Sequence, residues 1–82
     1  MSDESLEATI ELLKTQLLLR PNDPHKRFQL GNVLRKGGRM DQAIEAFTRA
    51  VTAKPDFADA HFQLGLIYRE KNDPATALNY FH

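Results

Sequence analysis

The sequence predicts an all-α protein, an α-α superhelix of antiparallel helix pairs, and three observations support this fold class. A segment of 34 residues is repeated, and each copy has the pattern of two amphipathic helices separated by a helix stop. No sustained alternation of apolar and polar residues and no Asn-Gly or Asp-Gly hairpin indicates a strand. One such helix pair cannot bury its apolar face alone, so neighbouring pairs are expected to stack into one continuous core.

The repeat is found by placing residues 21–48 on residues 55–82. Eight of the 28 aligned positions are identical, and they fall at helical spacings that unrelated segments would not share. The identical pairs are Pro21/Pro55, Phe28/Phe62, Gln29/Gln63, Leu30/Leu64, Gly31/Gly65, Arg35/Arg69, Ala43/Ala77 and Phe47/Phe81. The chain of 82 residues therefore forms one domain, 1–82, made of repeated units.

The first helix is predicted over residues 3–20, where Leu6, Ile10, Leu13 and Leu17 form one apolar stripe. Its end, residues 19–21, aligns in register with residues 53–55. This helix therefore occupies the place of a repeat's second helix, with no first helix before it. We expect a capping helix that covers the first repeat, and the alternative is the remnant of a longer array.

Repeat 1 is predicted over residues 24–57. Asp23 is a suitable N-cap with Pro24 at the first helical position, and the helix runs to a stop at Gly37-Gly38. A second helix is expected from about Met40 to Lys54, and Pro55 ends it.

Repeat 2, over residues 58–82, is truncated. Its first helix is predicted from about Asp56 to Lys71, followed by Asn72, which tolerates the left-handed conformation of a helix stop. Asp73 and Pro74 repeat the cap signal for a fifth helix, which continues to the last residue of the sequence.

This punctuation resembles the tetratricopeptide repeat (TPR), whose pattern is W-x2-L-G-x2-Y, then A-x3-F, then P. The first copy is Arg27-x2-Leu30-Gly31-x2-Leu34, Ala43-x3-Phe47, Pro55, and the second is His61-x2-Leu64-Gly65-x2-Tyr68, Ala77-x3-Phe81. Arg27 and His61 replace the tryptophan. The resemblance implies a TPR-like solenoid.

The small residues of the pattern predict close helix contacts. Any side chain at Gly31 or Gly65 would hold the two helices of a pair apart, and Ala43, Ala50 and Ala77 are expected to serve the same purpose on the facing helices. Phe47 and Phe81 are expected to fill the space between one pair and the next.

The residues that enzymes use are absent or scattered, so we predict no enzymatic activity, no catalytic residue and no cofactor. There is no cysteine, and the only serines are Ser2 and Ser5. His25, His61 and His82 lie in three different predicted helices, so no metal site is expected.

The charge balance argues against nucleic acid as a partner, because eleven basic and eleven acidic residues give a net charge of zero and no basic run occurs. No apolar stretch approaches the ~20 residues that span a bilayer, so no membrane segment is predicted. A cytoplasmic location is the default expectation.

A protein or peptide segment is therefore the predicted partner. TPR-like proteins hold such segments on the concave surface formed by the first helix of each pair. The matching residues here are His25, Phe28, Gln29, Asn32, Arg35 and Lys36, then Asp59, Phe62, Gln63, Leu66, Arg69 and Glu70. The alternative is that both phenylalanines pack in the core and that the arginines only improve solubility.

A structural homo-oligomerisation unit is the competing function. The last helix has no polar helix after it, so its surface, with Tyr68, Leu78, Tyr80 and Phe81, is expected to be incompletely covered. The chain is then a fragment of a longer array, associates with copies of itself through this face, or tolerates the exposure.

Overall fold

The structure, a computed structural model, describes residues 3–80. Over these residues the chain forms five α-helices: α1 Asp3–Leu19, α2 Pro24–Lys36, α3 Met40–Ala53, α4 Ala58–Glu70 and α5 Pro74–Tyr80. No strand occurs in this range, which confirms the all-α prediction. Helix α4 begins two residues later than predicted, because Phe57 has extended backbone angles at its N-cap and buries its ring in the core.

The helix ends follow the predicted punctuation. The Asp23 carboxylate accepts hydrogen bonds from the backbone N–H groups of His25 and Lys26, at 3.0 and 3.2 Å, and so caps α2. Gly38 has a φ of 77° and Asn72, its counterpart 34 residues later, has a φ of 60°. Both repeats therefore leave their first helix through one residue in the left-handed conformation.

Each helix packs against the next one along the chain, from α1 on α2 to α4 on α5. The core is formed by one face of every helix, and Phe47 is its largest fully buried side chain. A Cβ built on Gly31 would lie 2.6 Å from the Phe47 ring, which confirms that a glycine is needed there for close approach. Gly65 is buried as well, but Phe81, its expected counterpart to Phe47, lies outside the described residues.

The two residues that replace the tryptophan of the repeat pattern have the same structural role. Arg27 donates from Nε and Nη2 to the carbonyl oxygen of Pro21, at 3.2 and 2.9 Å. His61 Nε2 lies 2.8 Å from the carbonyl oxygen of Pro55 and donates to it. In each repeat, a side chain on the first helix therefore holds the loop that leads into that helix.

Ion pairs also recur at equivalent places. Glu7 of α1 pairs with Arg39 in the α2–α3 connection, and Asp41 of α3 pairs with Lys71, which follows α4, at 2.9 Å. Glu7 and Asp41 are 34 residues apart, so α1 contacts repeat 1 as α3 contacts repeat 2. The division of the chain into residues 3–20, 24–57 and 58–82 stays a prediction.

Candidate functional site

A cleft of about 480 Å³ lies between the first helices of the two repeats, and we call it the α2–α4 cleft. It gathers five of the predicted groove residues and one residue that the sequence did not indicate. Its lining consists of Asn32, Arg35, Lys36, Gln63 and Glu70, together with Met40 at the start of α3. Residues almost 40 positions apart are thereby placed side by side.

Arg35 links the two walls of the α2–α4 cleft. Its Nη1 donates to Gln63 Oε1 at 2.9 Å, and its Nη2 contacts Glu70 Oε1 at 2.6 Å. A guanidinium that already has a carboxylate partner attracts a further carboxylate less strongly, because Glu70 offsets its charge. The expectation that Arg35 waits for a partner's carboxylates is thus modified by a contact within the chain.

The aromatic residues of the predicted groove fall into two environments. The Phe28 ring is half-buried and lies 5.0 Å from Phe57 and 5.7 Å from Phe47 between ring centroids, so it packs against the core. His25 also contacts Phe57, at 5.1 Å. Phe62 remains 53% exposed at the matching position of repeat 2. The two phenylalanines are therefore identical in sequence but differ in exposure.

A second, smaller cleft of about 360 Å³ collects predicted residues at the other end of α2. It includes His25, Phe28 and Asp59, together with Lys54 and Phe57, which sequence reasoning missed. Lys54 Nζ lies 5.1 Å from the centroid of the Phe57 ring. Phe57 follows Pro55 by two residues in a connection, and an apolar residue in a loop after a helix stop was the available signal.

The remaining predicted groove residues lie on α2 and α4 outside the lining of both clefts. Gln29 and Arg69 are exposed, and Leu66 is half-buried. Gln29 and Gln63 occupy equivalent positions but only Gln63 contacts Arg35, because Arg35 comes from the helix of repeat 1.

The predicted self-association surface is partly closed by its own side chains. The rings of Tyr68 and Tyr80 stack at 5.6 Å with 3° between their planes. Burial, and secondarily the charge of the neighbouring Tyr68, raises the pKa of Tyr80. Leu78 is 58% exposed, and Phe81 lies outside the described residues.

Two other kinds of site were searched for over residues 3–80. No three His, Cys, Asp or Glu side chains in this range are grouped as a metal ion would require. None of the helices in the described part combines the length and apolar character needed to cross a lipid bilayer.

Comparison with known proteins identifies the repeat. The TPR repeat family matches residues 31–72, half of the chain. The chain belongs to the TPR repeat family. This repeat segment is 32% identical over 65 residues to the peroxisomal targeting signal receptors of Candida albicans and Eremothecium gossypii, a match that covers 79% of the chain and 11% of each receptor. It is 33% identical over 76 residues to the protein O-mannosyl-transferase TMTC1 of Mus musculus, with 88% of the chain and 8% of that protein covered.

Solved structures give the same result for the TPR segment. Two crystal structures of MamA superpose with TM-scores of 0.92 and 0.87 at 31% and 32% identity. These matches cover 94% and 93% of this chain and 45% and 42% of the MamA chains. The chain spans about a tenth of the length of the curated relatives, and the likenesses support a protein–protein interaction scaffold.

Proposed function

We propose that this TPR chain is a non-enzymatic scaffold that holds a segment of a partner protein along the exposed side of α2 and α4. One observation carries the proposal: five polar side chains from the first helices of two successive repeats line one cleft of about 480 Å³. A surface shared by two repeats can follow an extended segment further than a surface on one helix.

The chemistry of this surface suits a polypeptide. The amide groups of Asn32 and Gln63 each carry donors and an acceptor, so they can pair with a peptide backbone without reading its sequence. Lys36 and Arg69 add positive charge, whereas Arg35 is already paired with Glu70. A mixed surface of this kind on a chain with no net charge favours a protein over a nucleic acid.

Several relatives are named as receptors for a peroxisomal targeting signal, and we carry over only the general role of binding a partner. We propose no reaction for this segment, and a cytoplasmic location stays a prediction from the sequence.

The test is affinity capture from a lysate of the source cells with a groove variant that spares the Arg35 network. Gln29→Ala combined with Arg69→Ala removes two exposed side chains, so the fold is retained. We expect partners held by the natural chain to be lost from this variant. Arg20→Ala, which removes one positive charge at the end of α1, is the control and is expected to retain them. Equal capture by all three chains would overturn the proposal.

A second candidate function, self-association through the last helix, is favoured by the exposure of Leu78. Under this alternative, the sedimentation coefficient rises with protein concentration and Leu78→Ser prevents the rise. A strictly monomeric chain at high micromolar concentration contradicts it.

A further inference from the structure

The largest cleft in the described part of the chain lies between α1 and α3 and shares no lining residue with the α2–α4 cleft. We call it the α1–α3 cleft. Its volume is about 580 Å³, within the range of ligand pockets, and its floor is formed by the apolar side chains of Leu17, Leu30, Leu34 and Ala46. Core residues are therefore reachable from outside through this opening.

The second repeat contains the same place in a filled form. The counterparts of Ala46 and Leu34, 34 residues later, are Tyr80 and Tyr68. The Tyr80 ring stacks on Tyr68 and lies 6.1 Å from His61, the counterpart of Arg27. An aromatic ring thus occupies in repeat 2 the position that the methyl group of Ala46 leaves open in repeat 1.

The surroundings of Tyr80 support this correspondence. A cleft of about 490 Å³ remains beside His61, but Tyr80 forms part of its wall, and its lining does not include Leu64 or Tyr68. Those two residues are the counterparts of Leu30 and Leu34, the open floor in repeat 1. The ring of Tyr80 therefore covers the floor that the α1–α3 cleft exposes.

The rim of the α1–α3 cleft is mostly positive. Three helices contribute one cation each, Lys14, Arg27 and Arg49, against a single carboxylate, Glu45. Glu45 contacts Arg49 at 3.1 Å, whereas Lys14 and Arg27 form no ion pair within residues 3–80. Two hydrogen bonds to the Pro21 carbonyl hold the Arg27 guanidinium in place and leave its other N–H groups for a ligand.

We propose that the α1–α3 cleft binds an acidic segment of a partner protein through one aromatic side chain. The ring enters the place that Tyr80 occupies in repeat 2, where it is buried against Leu30 and Leu34. Carboxylates on either side of it pair with Lys14, Arg27 and Arg49. This surface is separate from the α2–α4 cleft and does not depend on the function proposed for it.

The test uses the full chain labelled with ¹⁵N and a peptide of sequence Asp-Glu-Tyr-Glu-Asp, followed by NMR. We expect saturable shifts of the amide signals of Leu17, Ala46 and Arg49. Replacing the peptide's tyrosine by serine, or its acids by lysines, is expected to remove the shifts. Equal shifts with the serine peptide, or shifts confined to α2 and α4, would overturn the proposal.

Charge reversal separates this cleft from general electrostatic attraction. Lys14→Glu with Arg49→Glu is expected to weaken peptide binding about tenfold, because two attractive pairs become repulsive. The matched control, Lys36→Glu with Arg69→Glu, makes the same change of charge beside the other cleft and is expected to leave binding unchanged. If both variants lose affinity equally, the cleft is not the binding site.

Filling the cleft gives an independent measurement. Ala46→Tyr places the ring of repeat 2 into repeat 1 and is expected to abolish the peptide-induced shifts while the circular dichroism spectrum stays helical. The charge-reversal pair above, whose side chains lie on the rim, decides the matter if this variant does not fold. A folded Ala46→Tyr chain that binds the peptide as before contradicts the proposal.

Discussion

One aromatic ring explains why Gly31 cannot be another residue. Phe47 is fully buried and three atoms of its ring lie 2.6–2.8 Å from the position where a Cβ on Gly31 would be. Contacts below 3.0 Å force atoms to move, and in a close-packed core a ring has little room to do so. The glycine is thus required by its neighbour, because it lies in the middle of α2 where glycine is otherwise unfavourable.

Gly31→Ala is expected to lower the free energy of unfolding by about 1–3 kcal/mol, the usual cost of overpacking, although alanine favours the helix. Urea denaturation followed by circular dichroism measures this value. The cost is expected to shrink when the same change is made beside Phe47→Leu, because the smaller side chain leaves space for the new methyl group. A Gly31→Ala chain as stable as the natural one would contradict the close contact.

Predictability from the sequence differs between the helices and the clefts. Helix ends depend on neighbouring residues, so the roles of Asp23, Gly38 and Asn72 could be inferred from adjacent sequence. The pairing of Arg35 with Glu70 joins two helices, and no local pattern distinguishes it from a free arginine. The difference between half-buried Phe28 and exposed Phe62 likewise depends on Phe57, which has no counterpart at residue 23.

The missing tryptophan has a structural explanation that the sequence did not give. Arg27 and His61 differ in size and charge, yet both donate a hydrogen bond to the carbonyl of the proline six residues earlier. The position therefore accepts a donor in place of an aromatic ring. Since Arg27 has further donors, the same substitution also contributes a cation to the α1–α3 cleft.

The contact between α3 and the end of α4 includes an ion pair whose effect on pKa values can be measured. A hydrogen bond and the positive charge of Lys71 lower the pKa of Asp41, and the reverse interaction raises the pKa of Lys71. The contribution of Asp41 to stability is present above its unfolded-state pKa and is lost as the pH falls through its lowered folded pKa. The contribution of Lys71 is present below its unfolded-state pKa and is lost as the pH rises through its raised folded pKa.

Lys71→Gln is therefore expected to raise the pKa of the Asp41 carboxyl group, as followed by NMR titration. Lys36→Gln, which removes a charge elsewhere, is the control and is expected to leave that pKa unchanged. Both groups of the pair are at the surface, where solvent screens the interaction, so only a small change in stability is expected. An unchanged Asp41 pKa in Lys71→Gln would show that the ion pair does not persist in solution.

The order of contacts along the chain shapes how the protein as a whole is stabilised. Each helix packs chiefly against its neighbours in sequence, so stability is transmitted from one helix to the next. Helix α3 lies between α2 and α4 and contributes Ala43, Phe47 and Ala50, all fully buried. Helix α1 packs mainly on α2 and leaves Leu12 and Leu19 exposed at 58% and 82%.

Native-state hydrogen exchange is expected to reveal a gradient that follows this order of contacts. The amide hydrogens of α2, α3 and α4 are expected to exchange slowest, at a free energy close to that of global unfolding, because these helices have partners on both sides. Those of α1 and α5 are expected to exchange faster, through opening of the ends alone. Phe47→Ala removes the ring that joins α3 to α2 and is expected to cost about 3–5 kcal/mol, which abolishes the gradient as all helices open together. Uniform protection in the natural chain would mean that all five helices unfold as one cooperative unit, and stability would then not be transmitted from neighbour to neighbour.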